Sequence, residues 1–299
     1  MPLIMQQQNV KAGETAIFNY NTPVDRWVVG ISYWDFEMEK RDHHVRTLAL
    51  NLQVNKQQPS PQQSVITARV DGTLDDDSAH HIAFATSSVT VCCVALAGDD
   101  PNLGLANAQG VNSGGQSPDL LLMKTADLSI STAFLSGFNL RYPDHNHHVQ
   151  SMWASTGSIS SSKGIEITGI AITSASGMKD GSGHEAKDAS INGGLIAATK
   201  AETGLMTRSL NVQKDTSVVV DFSRNVAQAV VLLQSINVQF GGDDHHIRRI
   251  GGGTKSWTVN GSAVTLDSAR AFMKDDDDSN HHQDDKTSSV TVLVAAVPA

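Results

Sequence analysis

Residues 34–45 read Trp-Asp-Phe-Glu-Met-Glu-Lys-Arg-Asp-His-His-Val, an alternating apolar run that ends in a histidine pair. The same figure returns twice. Phe138, Leu140 and Tyr142 precede His147-His148-Val149, and Ile236, Val238 and Phe240 precede His245-His246-Ile247. In each case the apolar residues stand nine, seven and five positions before the first histidine. A further histidine trails each pair at a near-constant distance: His81, His184 and His282. Self-similarity at a fixed period is the mark of a repeated structural unit. The chain is therefore read as three copies of one unit of about 100 residues, at 1–105, 106–205 and 206–299.

Alternation with period two predicts a half-buried strand, with one face on a core and the other on water. More strand-like segments follow in each copy. One leads into an Asp- or Gly-rich loop (65–70, 165–172 and 264–272), and another closes the copy at Val89 to Cys93, Ile191 to Leu195 and Val290 to Val294. Opening strands are expected at Thr15–Tyr20 and Val218–Phe222, with a weaker counterpart over 120–130. No long amphipathic helix is visible. The fold class is thus all-β: three tandem antiparallel β-sandwich modules of jelly-roll-like type, either strung as beads or closed into a pseudo-threefold ring. Stretches 98–118 and 200–209 read as a linker and a tight junction. Residues 155–163 and the glycine run Gly251-Gly252-Gly253 read as loop and turn.

Composition narrows the partners. A net charge of -9 argues against nucleic acid, which calls for a basic surface. No apolar run is long enough to span a membrane as a helix. The first ten residues lack the basic-then-apolar order of a signal peptide, yet an extracellular or surface-associated location is expected over a cytoplasmic one. The two cysteines, Cys92 and Cys93, are adjacent and read as small core residues rather than a bridge.

Imidazole and carboxylate are the usual ligands of zinc and other first-row divalent metals, with calcium as the all-oxygen alternative. The candidate ligands are His43, His44, Asp77 and His81 in the first copy, and His147, His148, Asp180 and His184 in the second. In the third they are His245, His246, Asp278 and His282. Each set places an Asp four residues before the trailing histidine. A hydrogen-bonded His–Asp pair that simply fixes two loops fits the same pattern. Neighbouring histidines on a strand point to opposite faces, so only one of each pair can serve a given site. No serine nucleophile elbow, phosphate loop or zinc-protease motif is present, and no catalytic residue is assigned.

The segment 229–236 (AVVLLQSI), followed by a polar turn and His246-Ile247-Arg248-Arg249-Ile250, resembles the central strands of H-type (GalNAc-binding) lectin modules, as does Trp27-Val28-Val29-Gly30-Ile31. The resemblance implies a six-stranded antiparallel sandwich that assembles in threes, with sugar bound near subunit interfaces. The family's late tryptophan-bearing strand has no counterpart here, so no site residue is carried over. These readings together give the expectation of a non-enzymatic, multivalent binder of glycans or cell surfaces, with Trp153 and Trp257 as exposed rings. A structural subunit that pairs with copies of itself in a filament, sheath or virion is the alternative, and a metalloenzyme the third reading.

Overall fold

The computed structural model describes residues 3–39, 44–78, 80–121, 127–200, 204–213, 215–240, 245–275 and 287–299. Every regular element among them is a β-strand. The first copy supplies β1 (Leu3–Lys11), β2 (Thr15–Tyr20), β3 (Arg26–Glu37), β4 (Thr47–Ser60), β5 (Gln63–Asp75) and β6 (Ser88–Leu96). The second supplies β7 (Leu103–Asn112), β8 (Leu128–Arg141), β9 (Ser151–Lys163), β10 (Glu166–Lys179) and β11 (Asp188–Thr199). The third supplies β12 (Met206–Val212), β13 (Thr216–Asp221), β14 (Val226–Gln239), β15 (Arg249–Thr254), β16 (Trp257–Asn260), β17 (Ala263–Lys274) and β18 (Ser289–Pro298).

The strands form three antiparallel sheets, and each sheet draws on two copies. One runs β1-β6-β3-β15-β17-β13, with β16 also on β17. The second runs β2-β5-β4-β8-β11-β7, and the third β10-β9-β14-β18-β12. The joints between copies are equivalent: β4 pairs with β8, β9 with β14, and β15 with β3. The chain thus closes a cycle of strand pairing, first copy to second, second to third, third to first.

Hydrogen bonds repeat the same cycle. The amide of Tyr142 donates to the carbonyl of Arg46, that of Phe240 to Gln150, and that of Met38 to Arg248, at 3.0, 2.9 and 2.9 Å. Buried residues of all three copies form one continuous core. At its centre lie positions that are equivalent in the repeat: Gly30, Phe134 and Leu232. A Cβ on Gly30 would come within 2.5 Å of the Phe134 ring and 2.9 Å of Leu232 Cδ2. Glycine at one of the three positions therefore makes room for phenylalanine at the next. Trp34 and Phe138, also equivalent, pack with ring centroids 5.1 Å apart.

Several sequence expectations change. The stretch 98–118 holds β7, and 200–209 runs into β12; both are edge strands, half in water, which is why their polar composition resembled linker. The Gln-rich start is likewise an edge strand, β1. Residues 155–163 are not a loop but the outer half of β9, in a long hairpin with β10. Gly251-Gly252-Gly253 is not a turn but the body of β15, pressed against β3: a Cβ on Gly251 would lie 2.2 Å from the Trp34 carbonyl oxygen, and one on Gly253, at φ +110°, 2.0 Å from that of Ser32. Trp257 is buried rather than exposed, and its indole N–H donates to the Ala229 carbonyl at 3.1 Å. Trp153 is partly exposed. Cys92 and Cys93 are both buried and unbridged. Among the described residues no helix is long and apolar enough to cross a membrane.

Candidate metal centre

Each histidine pair sits where the chain leaves one of the equivalent strands β3, β8 and β14 for the next. Val45, Val149 and Ile247, directly after the pairs, are buried and anchor the crossing. Val45 bridges to His147, and Val149 to His245, so at this point the first copy grips the second and the second the third. With alternate residues on opposite faces, the two members of a pair are sent different ways.

The second histidines meet one another. Ring centroids of His44 and His148 are 4.2 Å apart, those of His44 and His246 4.7 Å, and those of His148 and His246 4.6 Å. One ring nitrogen from each lies within 4.8 Å of the other two. All three rings are partly exposed, which leaves a way in for an ion. Burial first, and then the neighbouring His148 and His246, push the His44 imidazole below its ordinary value of 6.5; a hydrogen bond to the Asn146 side chain works in the opposite direction. Zinc and other first-row divalent ions bind neutral imidazole nitrogen, and three such ligands with an open fourth position is a common zinc geometry. The three rings can hold such an ion.

In the second and third copies the first histidine of the pair turns back into its own copy. His147 is buried, with Nδ1 2.8 Å from Asp180 Oδ2 and its ring 4.3 Å from that of Tyr142. His245 repeats the arrangement, with Nδ1 3.0 Å from Asp275 Oδ2 and its ring 4.6 Å from Phe240. Buried carboxylates also cap the loops that follow β5 and β10. Asp180 accepts from the amide and Nδ1 of His184 at 2.7 and 2.9 Å, and Asp76 accepts from the amide and Nδ1 of His80 at 3.1 and 2.9 Å. Burial raises both carboxyl groups, but the hydrogen bonds from His80 and His184 outweigh it and hold Asp76 and Asp180 below the ordinary 3.8.

Backbone pairing shows which aspartates correspond. The amides of Arg46, Gln150 and Arg248 donate to the carbonyls of Asp75, Lys179 and Lys274, each at 2.8 Å. The equivalent residues are therefore Asp76, Asp180 and Asp275, all buried. Asp77, counted back from His81, is thus not the counterpart of Asp180. Counting back from the trailing histidine fails because the loops 76–87, 180–187 and 275–288 differ in length. Asp77 instead pairs with Arg46 and accepts from the Asn146 amide at 2.9 Å, bracing the first copy against the second. His81 is exposed, its carbonyl accepts from the Glu39 amide, and it belongs to none of the His/Asp groups among the described residues. His43, Asp278 and His282 lie outside the described residues. The sequence-derived sets thus divide: His44, His148 and His246 come together across copies, whereas His147, Asp180 and His184 come together within one.

Asp144 and His145, not among the sequence-chosen ligands, stand beside His147 in a further His/Asp group. Their signal in the sequence was that they occur in the second copy alone; the corresponding positions are Lys40-Arg41 and Gly242-Asp243. No known protein family matches the chain, and no curated protein is detectably similar to it.

Proposed function

We propose that the protein is a non-enzymatic binding protein in which one chain does the work of three lectin-like subunits, closed at one end by a divalent metal ion. Its three sandwich modules sit around a pseudo-threefold axis, and His44, His148 and His246 hold zinc or another first-row ion on that axis. The observation that carries this reading is the convergence of one histidine from each copy on a single point. A residue that merely braced its own module would have no reason to meet its counterparts. The ion fastens the mouth of the cycle, as metal binding adds directly to folding free energy. Several weak contacts to a glycan-bearing or cell surface then act together through avidity.

Two measurements test it. Untagged protein should carry at least one ion per chain by elemental analysis, and a glycan array should give saccharide hits. Substoichiometric metal overturns the clasp, and an array without hits overturns glycan binding.

A second reading, a subunit of a larger assembly, is supported by the hairpin arms. β4 pairs with β8 only as far as Asn51, and β9 with β14 only as far as Ser155. Beyond those points the arms carry exposed Val54, Ile159 and Ile165. Strand edges of this kind pair readily with another chain. Monomer at every concentration and metal condition tried would overturn it.

A further inference from the structure

The second copy carries a group of side chains that its sisters lack. His147 Nδ1 lies 2.8 Å from the buried carboxylate of Asp180, which also takes the amide and Nδ1 of His184. A neutral imidazole donates from one nitrogen and accepts at the other. With Nδ1 engaged by Asp180, Nε2 is the ring nitrogen of His147 left for a further partner. That partner is Asp144, whose Oδ1 is 3.2 Å away and accepts from Nε2 when the ring carries a proton there. The other oxygen of Asp144 is 3.2 Å from His145 Nδ1, and the His145 ring stacks on that of His147 at 4.4 Å. Two imidazole nitrogens and a carboxylate oxygen thus stand within 4.8 Å of one another, where a cation in place of the shared protons would meet all three. An open cleft lined by Tyr142, Pro143, Asp144, Gly183 and His184 adjoins it and admits water as a remaining ligand.

We infer that Asp144, His145 and His147 form a second divalent-metal site, separate from the axial one and present once per chain. His147 supplies Nε2, His145 a ring nitrogen and Asp144 a carboxylate oxygen. Asp180 serves as the outer carboxylate that fixes the His147 ring and its tautomer, the usual support of a metal-bound histidine. The donor set of two nitrogens and one oxygen suits zinc or copper(II) rather than calcium, which takes oxygen ligands alone. Because Asp144 and His145 are largely exposed, the site is a surface one whose ion exchanges with solvent.

The test is a count of bound zinc by elemental analysis after dialysis of the full chain against micromolar zinc. Wild type should hold two ions, and His145→Ala and Asp144→Asn one each. Both substitutions fall on exposed side chains, so unchanged circular dichroism is expected. His148→Ala reports the axial site independently: it should lose one ion while leaving the His145-dependent ion in place. If His145→Ala and Asp144→Asn both retain as many ions as wild type, the second site is overturned, whatever His148→Ala shows.

Discussion

His44 and His148 are 104 positions apart in sequence, yet their rings meet edge to face with centroids 4.2 Å apart. His246 completes the triangle. Three polar rings held this close, with burial keeping His44 neutral, form a site that gains from an ion. Zinc at a hundred times its dissociation constant should therefore raise unfolding free energy by about 2.7 kcal/mol. The rise should vanish in chelator and in His148→Ala, as read by thermal unfolding. A wild-type melting temperature that ignores both zinc and chelator would contradict the clasp.

Packing at the centre gives a second expectation. Phe134 fills the space left by Gly30 and also covers Gly194. Phe134→Ala should cost about 3–5 kcal/mol through the cavity it opens. Gly30→Ala should cost about 1–3 kcal/mol by overpacking. Urea unfolding measures both, and a loss below 1 kcal/mol for Phe134→Ala would show that the three copies do not lean on one another there.

The seam between the third and first copies carries an ion pair. Arg249 Nε donates to Asp35 Oδ1 at 2.7 Å, and its Nη2 pairs with Oδ2. Tyr33 adds a hydroxyl hydrogen bond to Asp35 at 3.1 Å. Asp35 is buried, whereas the Arg249 side chain is 39% exposed. Removing a partner from a buried pair leaves a charge without compensation, here moderated by solvent and by Tyr33. Arg249→Ala should destabilise by about 2 kcal/mol, and Asp35→Ala/Arg249→Ala by less than the sum of the singles. Additive losses in that double-mutant cycle would mean that the two side chains do not interact.

Much of this seam lay hidden in the sequence. The alternating runs of β3, β8 and β14 are plain in a single copy, and they gave the strands. The same alternation assigned Asp35 to water, because nothing within one copy reveals that β15 of another will cover it. The edge strands β1, β7 and β12 escaped for the opposite reason: with one face in solvent they carry many polar residues, so 98–118 reads as a linker, 200–209 as a tight junction, and no strand is expected at the Gln-rich start. The histidine pairs were legible as two-faced. That their second members would meet across copies depends on the cyclic pairing of β4 with β8, β9 with β14 and β15 with β3. The matching aspartates, Asp76, Asp180 and Asp275, follow from backbone pairing rather than from spacing.

Acid should weaken the protein in two stages. His44 titrates below its ordinary 6.5 when folded, so between those values the unfolded chain binds a proton that the folded chain refuses. Stability therefore rises with pH in that window and is lost as pH falls below about 6.5. Proton competition for metal-ligating imidazole acts in the same direction. The second stage belongs to carboxylates. The His147 hydrogen bond, with help from the His145 amide, holds Asp144 down to about 2, and Asp76 and Asp180 are also lowered. Their contribution is present above the ordinary 3.8 and is lost as pH falls from there toward 2. Asp75, raised by burial, offsets part of this. Denaturant unfolding from pH 8 to pH 2 should show both declines, with the upper one reduced in His44→Gln. A flat profile between pH 8 and pH 5 would contradict the first stage.

The axial site is tested most directly by X-ray anomalous scattering from crystals grown with zinc, recorded on both sides of the zinc edge. An ion on the axis should give an anomalous peak within about 2.0–2.1 Å of one ring nitrogen from each of His44, His148 and His246. Density that shows the three rings without such a peak, at zinc concentrations that saturate the protein in solution, would contradict it.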